Sequence, residues 1–566
     1  ILMNSTIDDV IFKDNLKKVP VKSGETMQDP YHPDKPFLSK QLVYIEDQNH
    51  STDYGSNQIK FSTKNQGGMC DIQNAVFTLP KVAVLYRQKT NGAASPCDIP
   101  PEDVHNQLMF KSGHINDIDS AKIDCNSTSV IQQRQNFGAY VNYRHNSEMS
   151  IADLLLNGSM TGDYKNSNNY DYNNETGFTT DAFGDFFPNK FVAFDAASGK
   201  SQIMNEDNIK TDGLNYHETH FKTTAAVVGT GDVANPQFPA YTEYEHVYYY
   251  TSYIRARDIP FLQDLCMIQG SDIEITFTLN QSETIVTVVP TGGAAGLKSD
   301  KTSIVNNLRG STNPLLRSNE IEHTNAMGSY KEHVSWKVVS HKSYISTKVH
   351  THDMKYCRMY IPTYILEPSA REHYLSFGTK KIVYDDYIIK EVPNINGNFS
   401  ETLIQSVANV KKLVIVPVFR HANGTTLNGV QNDNAQRCMY SASPALPCPV
   451  VIQDFNVKIA GLPVYTDLRT YGWENFLKEM DGSEGLYGNT KMGLVSGLIG
   501  KEEYQNNYKY YVVDLSRRAK VDYDKGFQVH IQGNMKSPAT VDLLCYLVVK
   551  REAIVNLNTG EISNVR

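Results

Sequence analysis

The chain has 566 residues, with 54 basic and 62 acidic side chains, a formal net charge of −8 and only 20% charged residues. A hydrophobic fraction of 40% excludes wholesale disorder, and the lack of a basic excess argues against a dedicated nucleic-acid binder or a polybasic membrane-surface protein. The length predicts about two to four domains. With 34 Tyr and 36 Gly, the composition favours strands and turns over long surface helices.

Neither a membrane-spanning stretch nor a secretory signal is recognisable in the sequence. The longest strongly apolar runs, 413–419 and 543–549, are far shorter than the ~20 residues that cross a bilayer as a helix. The eight cysteines form no CxxC pair, so a zinc ribbon or a redox pair is not expected. We interpret them as reduced, packed thiols of a soluble chain made in the cytosol.

In chain order, the first predicted elements lie between residues 137 and 279. The segment 137–143 reads as a strand, and 150–156 as a short helix. A second short helix is expected at 260–267, because proline is tolerated in the first turn of a helix. In 273–279, isoleucine and phenylalanine alternate with polar residues, which is typical of a half-buried strand.

The second half of the chain shows the same alternation more clearly. Period-two patterns predict strands at 455–459 and 527–531, each followed by a turn. The run 541–549 is apolar at nearly every position, which predicts a strand buried on both faces. One helix is predicted at 471–480, where an apolar stripe recurs at helical spacing: Trp473, Phe476, Leu477 and Met480.

Two internal similarities suggest that the chain contains two related all-β halves. Residues 77–80 and 359–362 share an apolar-x-apolar-Pro pattern. A strand, a turn and a short helix are predicted at 131–156 and again at 452–480. Strands separated by turns, with few helices between them, indicate sandwiches or barrels rather than βαβ units.

The predicted domains are an N-terminal arm, residues 1–36, a first half, residues 37–325, and a second half, residues 326–566. The first half carries a polar insertion at about 161–240, which is too long for an ordinary connector. A Gly/Ser/Asn-rich stretch, 289–318, is interpreted as the linker plus a loop.

Candidate metal and phosphate sites do not meet their chemical requirements. His217 and His220 are three residues apart, whereas a zinc helix needs a spacing of four. His350 and His352 could share one face of a strand, as in cupin metalloenzymes, but the glutamate that such sites need is missing. The glycines of 228–231 and 292–299 fit neither a dinucleotide fingerprint nor a phosphate loop.

Catalytic constellations are also missing from the sequence. Asp385 and Asp386 are neighbours on a predicted strand and therefore face opposite sides, so they cannot act as a glycosidase pair. No Gly-x-Ser-x-Gly elbow occurs. We therefore predict no catalytic, cofactor-binding or metal-ligating residue, no cofactor, and no enzymatic activity.

An ordered series of motifs carries a resemblance to a known family. The second half resembles the second jelly roll of double jelly-roll major capsid proteins, especially those of polinton-like viruses, adintoviruses and virophages. The matching segments are 357–362, 381–385, 413–417, 455–465, 471–480, 510–517 and 527–560. In the first half, 253–257, 260–267 and 273–279 resemble the closing elements of a first jelly roll, and 58–85 its opening strands.

The resemblance implies an all-β fold of two tandem eight-stranded jelly rolls with short helices and long inserted loops. It implies a structural protein of the virion of a DNA virus, in which three chains form a pseudo-hexameric capsomer that tiles an icosahedral shell. The implied partners are copies of the chain itself and the minor capsid and penton proteins, without sequence-specific nucleic acid. An internal membrane or a host surface receptor stays open as a further partner.

Two other functions stay open at this stage. The first is a carbohydrate-binding or carbohydrate-active protein on a jelly-roll scaffold, a hypothesis that the all-β pattern and the number of tyrosines support. The second is a capsid-like minor or penton protein, although two rolls in one chain fit it less well. The insertion at 161–240 is predicted to project outward and wrap neighbouring subunits.

Overall fold

The computed structural model describes residues 37–48, 58–64, 67–89, 106–109, 113–126, 128–161, 190–191, 194–195, 200–201, 214–222, 243–279, 282–291, 297–306, 315–318, 322–323, 330–338, 356–419, 450–468, 470–485, 499–506, 508–516, 526–536 and 541–563. The predicted N-terminal arm, 1–36, lies outside these residues, as does most of the insertion. Apart from Thr161, which ends a helix, the insertion's described residues form four strands.

The first half is built from nineteen strands and two helices in the described ranges. The strands are β1 (Phe37–Glu46), β2 (Gln58–Ser62), β3 (Met69–Cys70), β4 (Val76–Lys89), β5 (Asn106–Met109), β6 (Ile118–Cys125), β7 (Thr128–Arg134), β8 (Lys190–Phe191), β9 (Phe194–Asp195), β10 (Lys200–Ser201), β11 (Leu214–Lys222), β12 (Glu243–Arg255), β13 (Ile273–Leu279), β14 (Ser282–Thr291), β15 (Leu297–Asn306), β16 (Leu315–Ser318), β17 (Glu322–His323), β18 (Tyr330–Val338) and β19 (Arg358–Leu366). The helices are α1 (Phe137–Glu148) and α2 (Ile151–Thr161).

The second half contains nine strands and three helices in the described ranges. The helices are α3 (Pro368–Ser376), α4 (Trp473–Gly485) and α5 (Lys501–Asn506). The strands are β20 (Thr379–Ile395), β21 (Gly397–Val407), β22 (Val410–Phe419), β23 (Val451–Ile459), β24 (Leu462–Pro463), β25 (Tyr511–Asp514), β26 (Phe527–Lys536), β27 (Val541–Asn556) and β28 (Ile562–Ser563).

The strand order of the second half is that of a jelly roll. One antiparallel sheet has the order β20-β27-β22-β25 and the other β21-β26-β23-β24. Counted along the half, these are strands one, eight, three and six, facing strands two, seven, four and five. Each sheet therefore pairs strands that are far apart in sequence, which is the consequence of two Greek keys closing on each other.

The first half repeats the central part of this arrangement. Its smaller sheet has the order β2-β13-β6-β7, and the larger sheet pairs β4 with β12. The two sheets pack face to face through aromatic rings, because the Phe77 ring of β4 lies 5.3 Å from Phe61 and 5.0 Å from Phe277. In the first half, the opening strand β1 pairs with the closing strand β19, and β2 pairs with β13 on the opposite sheet. In the second half, β20 pairs with β27 and β21 with β26 in the same way. The predicted all-β class with two tandem jelly rolls and short helices is thus confirmed.

Strand pairing assigns the segment between the halves to the first one. Strands β18 and β19, which follow the predicted boundary at residue 325, both pair with β4. Helix α3 then connects β19 to β20. It begins with Pro368 in its first turn, and Gly378, with a φ of 65°, follows its end in the left-handed conformation that glycine adopts freely.

Several predicted elements differ from the structure. Residues 137–143 are part of helix α1 rather than a strand, and residues 260–267 hold only the 3-10 turn Leu262–Asp264. Part of the predicted linker, 297–306, is strand β15, paired with β14. The two segments with the apolar-x-apolar-Pro pattern are not equivalent positions in two sandwiches, because β19 and β4 pair directly, with Met359 opposite Phe77.

The second proposed similarity joins corresponding elements. Strand β7, which precedes α1, ends the four-stranded sheet β2-β13-β6-β7, and β24, which precedes α4, ends the four-stranded sheet β21-β26-β23-β24. The relation between the halves therefore rests on their strand order, with which this second similarity agrees.

Candidate functional site

Helix α1 of the first half lies on the outer face of the sheet β20-β27-β22-β25. The Tyr140 ring is 4.4 Å from the ring of Tyr387 on β20 and 5.5 Å from that of Tyr546 on β27. Further along the helix, the Tyr143 ring packs 5.2 Å from Tyr510, beside β25. All of these tyrosines are buried. Strand β27 is consequently covered on both faces, as its unbroken apolar sequence predicted.

The hydroxyl groups in this junction find partners across it. Tyr546 donates to the backbone oxygen of Asn136 (3.0 Å), and Tyr384 donates to that of Val130 (3.1 Å). The Tyr143 hydroxyl lies 3.2 Å from the Met480 sulfur of α4. Burial raises the pKa of Tyr546 well above its ordinary value, so the phenol stays protonated and remains a donor.

A buried ion cluster joins two edge strands, β7 of the first half and β20 of the second half. Arg134, at the end of β7, donates to both carboxylate oxygens of Asp386, with distances of 3.2 and 2.7 Å. Arg551 of β27 lies 2.9 Å from the second of these oxygens. The Asp386 side chain is fully buried, so its charge is balanced by two guanidinium groups rather than by water.

Asp385 faces the other way, as its neighbour position on a strand predicted. It pairs with Lys411 of β22 at 3.0 Å and remains a third exposed. The two adjacent carboxylates therefore occupy separate environments and cannot share a substrate. Both have structural partners.

The histidines and glycines that the sequence offered as candidate metal, dinucleotide or phosphate sites lie partly on strand β11 and partly outside the described residues. His217 and His220 lie on strand β11, which pairs with β12, and not on a helix. His350, His352 and the glycines at 229, 231 and 292–296 lie outside the described residues. Within the described ranges, no group of three or more His, Cys, Asp or Glu side chains is placed to hold a metal ion.

Large apolar side chains are exposed at several places on the described surface, among them β1, α2 and β24. Leu42 and Tyr44 project from β1, which ends one sheet and has no strand on its outer side in the described part of the chain. Leu155 and Leu156 of α2 are 80% and 79% exposed. Leu462, on β24 at the end of another sheet, is 69% exposed. Exposed apolar side chains at sheet ends are characteristic of surfaces that other chains cover.

The junction itself was not anticipated from the sequence. Its signals were two aspartates, Asp385 and Asp386, inside the otherwise apolar run 382–389, and tyrosines inside otherwise aliphatic strands. Neither signal identifies the partner, because Arg134 and Asp386 are 252 residues apart.

No described helix is long and apolar enough to cross a membrane.

No protein-family model and no curated protein matches this chain. Solved structures do. The chain is similar to the mavirus major capsid protein, with 11% identity, 96% of each chain covered and a TM-score of 0.45. It is similar to the Sputnik virophage structure, with 12% identity, 96% of this chain and 93% of that chain covered, and a TM-score of 0.46.

A third similar structure is the Faustovirus major capsid protein, with 10% identity, coverage of 96% of this chain and 98% of that one, and a TM-score of 0.41. With each of these TM-scores below 0.5, the fold is established by the strand order of this chain. The similarity extends over nearly the whole length of the chain and of these capsid proteins.

Proposed function

We propose that this chain is a major capsid protein that forms homotrimeric, pseudo-hexameric capsomers and tiles an icosahedral shell. The observation that carries the proposal is the jelly-roll strand order of the second half, joined to a first half with the same central pairing. The ordered series of motifs in the second half supports the same function. Its location would be the virion shell.

The junction between the halves suits a building block of fixed shape. Helix α1 buries tyrosines on the second half, and Asp386 is held by arginines from both halves. Such contacts hold the two rolls in one arrangement, which a repeating lattice requires. The role is structural, and the buried carboxylate and phenols of the junction hold the fold together rather than act on a substrate.

The exposed apolar side chains on β1, α2 and β24 supply surfaces for self-association. Obligate interfaces bury about 2,000 Å² or more and are rich in apolar and aromatic side chains. We propose that neighbouring copies cover these three places, and that minor capsid and penton proteins bind elsewhere on the shell. The insertion at 161–240 is proposed to project outward and to contact neighbouring subunits.

For the domains, we propose an arm at 1–36 followed by the two rolls. The sequence places the boundary between the rolls at 325/326. The pairing of β18 and β19 with β4 supports a first roll that runs on to Leu366.

Native mass measurement and electron microscopy of the purified chain test the proposal. We expect a particle near three times 63.6 kDa, and capsomers or shells at high concentration. A chain that stays monomeric under all assembly conditions would contradict the proposal. Specific binding on a glycan array would favour the carbohydrate-binding alternative.

Single substitutions locate the self-association surfaces. Leu42→Asp, Leu155→Asp and Leu462→Asp each place a charge on an exposed leucine, so the fold should persist while assembly weakens at any surface that is used. Gln405→Asp, at an exposed position of β21, is the matched control. If all four variants assemble like the wild type, the apolar surfaces are not the contacts.

A further inference from the structure

Three segments that are distant in sequence meet where the C-terminal strands turn. The first is the loop 267–271 of the first half, and the second is residues 368–378, which contain α3 and Gly378 and are here named the linker. The third is the turn 556–560 between β27 and β28, which we name the clasp. The clasp touches the other two segments. This is a further place where the halves are joined, apart from helix α1 and the Arg134–Asp386 pair.

The clasp approaches the loop of the first half at backbone distance. Gly560 has a φ of 72°, and a Cβ atom added there would lie 2.3 Å from the Gln269 oxygen and 2.7 Å from the Ser271 nitrogen. The Asn126 amide donates to the Gly560 oxygen (3.1 Å), while its own oxygen accepts from the Asp272 backbone (3.1 Å). Only glycine fits this position, because both the space and the backbone conformation exclude a side chain.

The linker is held from both sides at the same place. The Leu557 backbone nitrogen donates to the Gly378 oxygen (2.8 Å), which ties the linker to the clasp. The Tyr374 hydroxyl donates to the Met267 oxygen (2.7 Å), and Arg371 donates to Gln269 (3.2 Å), which tie α3 to the first half. Opening the clasp would therefore free one side of the linker.

The clasp and the α1 contact lie far apart along the same strands. Tyr387, which α1 covers, is eight residues along β20 from Thr379, where the linker ends. At ~3.3 Å per residue this is roughly 26 Å. The α1 contact consists of buried aromatic rings, whereas the clasp consists of backbone hydrogen bonds and close glycine packing. Two attachments this far apart constrain the angle between the halves more tightly than either does by itself.

We propose that the clasp is a latch: it opens as a unit separate from the α1 contact, and its closure holds the linker on the first half. In the open state, both sandwiches and the α1 contact stay formed. The hydrogen bond from the Leu557 nitrogen to the Gly378 oxygen, which joins the turn 556–560 to the linker 368–378, is broken in this state. The arrangement of the two halves then depends on the α1 contact together with the Arg134–Asp386 pair and the Tyr384–Val130 hydrogen bond.

Native-state hydrogen exchange of the full chain, read by mass spectrometry, tests this proposal. In Gly560→Ala we expect exchange in 368–378 and 556–560 to accelerate by about tenfold or more, with α1 and β26 unchanged. Gly461→Ala is the matched control, because Gly461 has a φ of 82° and nothing within 4 Å of an added Cβ. It should leave the linker as protected as in the wild type.

Asn126→Asp supplies a milder variant if Gly560→Ala does not fold. It keeps the acceptor for the Asp272 backbone and loses the donor to Gly560, so the same two segments should exchange faster. The proposal is overturned if both segments exchange in the folded variants as in the control. It is equally overturned if protection falls by the same factor in α1 and β26, because the clasp would then open only with the whole protein.

Discussion

Replacing Asp386 by asparagine removes the buried negative charge that two partly buried guanidinium groups share, with almost no change in shape. The Asp386 side chain is 0% exposed, Arg134 11% and Arg551 25%. Removing one partner of a buried ion pair costs about 3–5 kcal/mol, because the remaining charge is left without compensation. Both arginines reach some solvent, so we expect the lower end, about 3 kcal/mol, or roughly two orders of magnitude in the folding equilibrium.

Asp385→Asn is the matched control, one residue away on the same strand. The Asp385 and Lys411 side chains are 33% and 21% exposed, so this change should cost at most about 1 kcal/mol. Urea denaturation followed by circular dichroism measures both variants, with the first transition compared if the halves unfold separately. Equal midpoints for the two variants would refute the reasoning.

A double substitution separates charge balance from packing. In Arg134→Met with Asp386→Leu, the charged pair between the halves is replaced by apolar side chains, and Arg551, 25% exposed, is the one member of the cluster left without its carboxylate. Replacing a buried pair in this way is often close to neutral. We expect the double variant to be more stable than Asp386→Asn, and a further loss of stability would show that the hydrogen-bond geometry matters more than the charge.

Three further predictions concern the cores. Gly533→Ala should lower the free energy of unfolding by about 1–3 kcal/mol in urea denaturation, because an added Cβ would lie 2.6 Å from the Ile452 side chain. Gly67→Ala is the control: nothing lies within 4 Å of its added Cβ, so packing should cost it under about 1 kcal/mol. Burial raises the pKa of Asp71, so the native state loses stability as pH rises above about 4, the unfolded value. Asp71→Asn should therefore gain stability relative to the wild type between pH 4 and pH 7; a difference that does not change with pH would contradict this. Thiol labelling of the native chain near neutral pH should be slow at five buried cysteines and fast after unfolding: Cys70, Cys125, Cys266, Cys357 and Cys545. Fast native labelling at these positions would show that they are accessible.

Strands whose burial follows from local sequence could be predicted well. In β13 and β26, one face packs on the core and the other is more exposed, so apolar and polar residues alternate along the sequence of each strand. Strand β27 has apolar residues on both faces, and both faces are covered. For these strands, neighbours in sequence carry the information that determines the structure.

Elements whose environment is supplied by the other half were predicted poorly. Segment 137–143 contains Phe, Tyr and Val, which favour strands, yet it is helical because Tyr140 and Tyr143 pack on a sheet formed by residues hundreds of positions later. A single sequence does not show such a long-range partner. Residues 297–306 are a different case, because they pair as a hairpin with the preceding strand β14 although their composition is that of a loop.

The covering of β27 by α1 has a consequence for synthesis on the ribosome. Helix α1 ends at Glu148, and β27 is complete only at Asn556, 408 residues later. At ~5–20 residues per second, roughly 20–80 s pass between the emergence of the two surfaces. During this interval the tyrosine-bearing face of α1 has no sheet to cover. Exposed apolar surface of this kind is prone to aggregation until its partner is made. A second half released alone would likewise expose the apolar outer face of its own sheet.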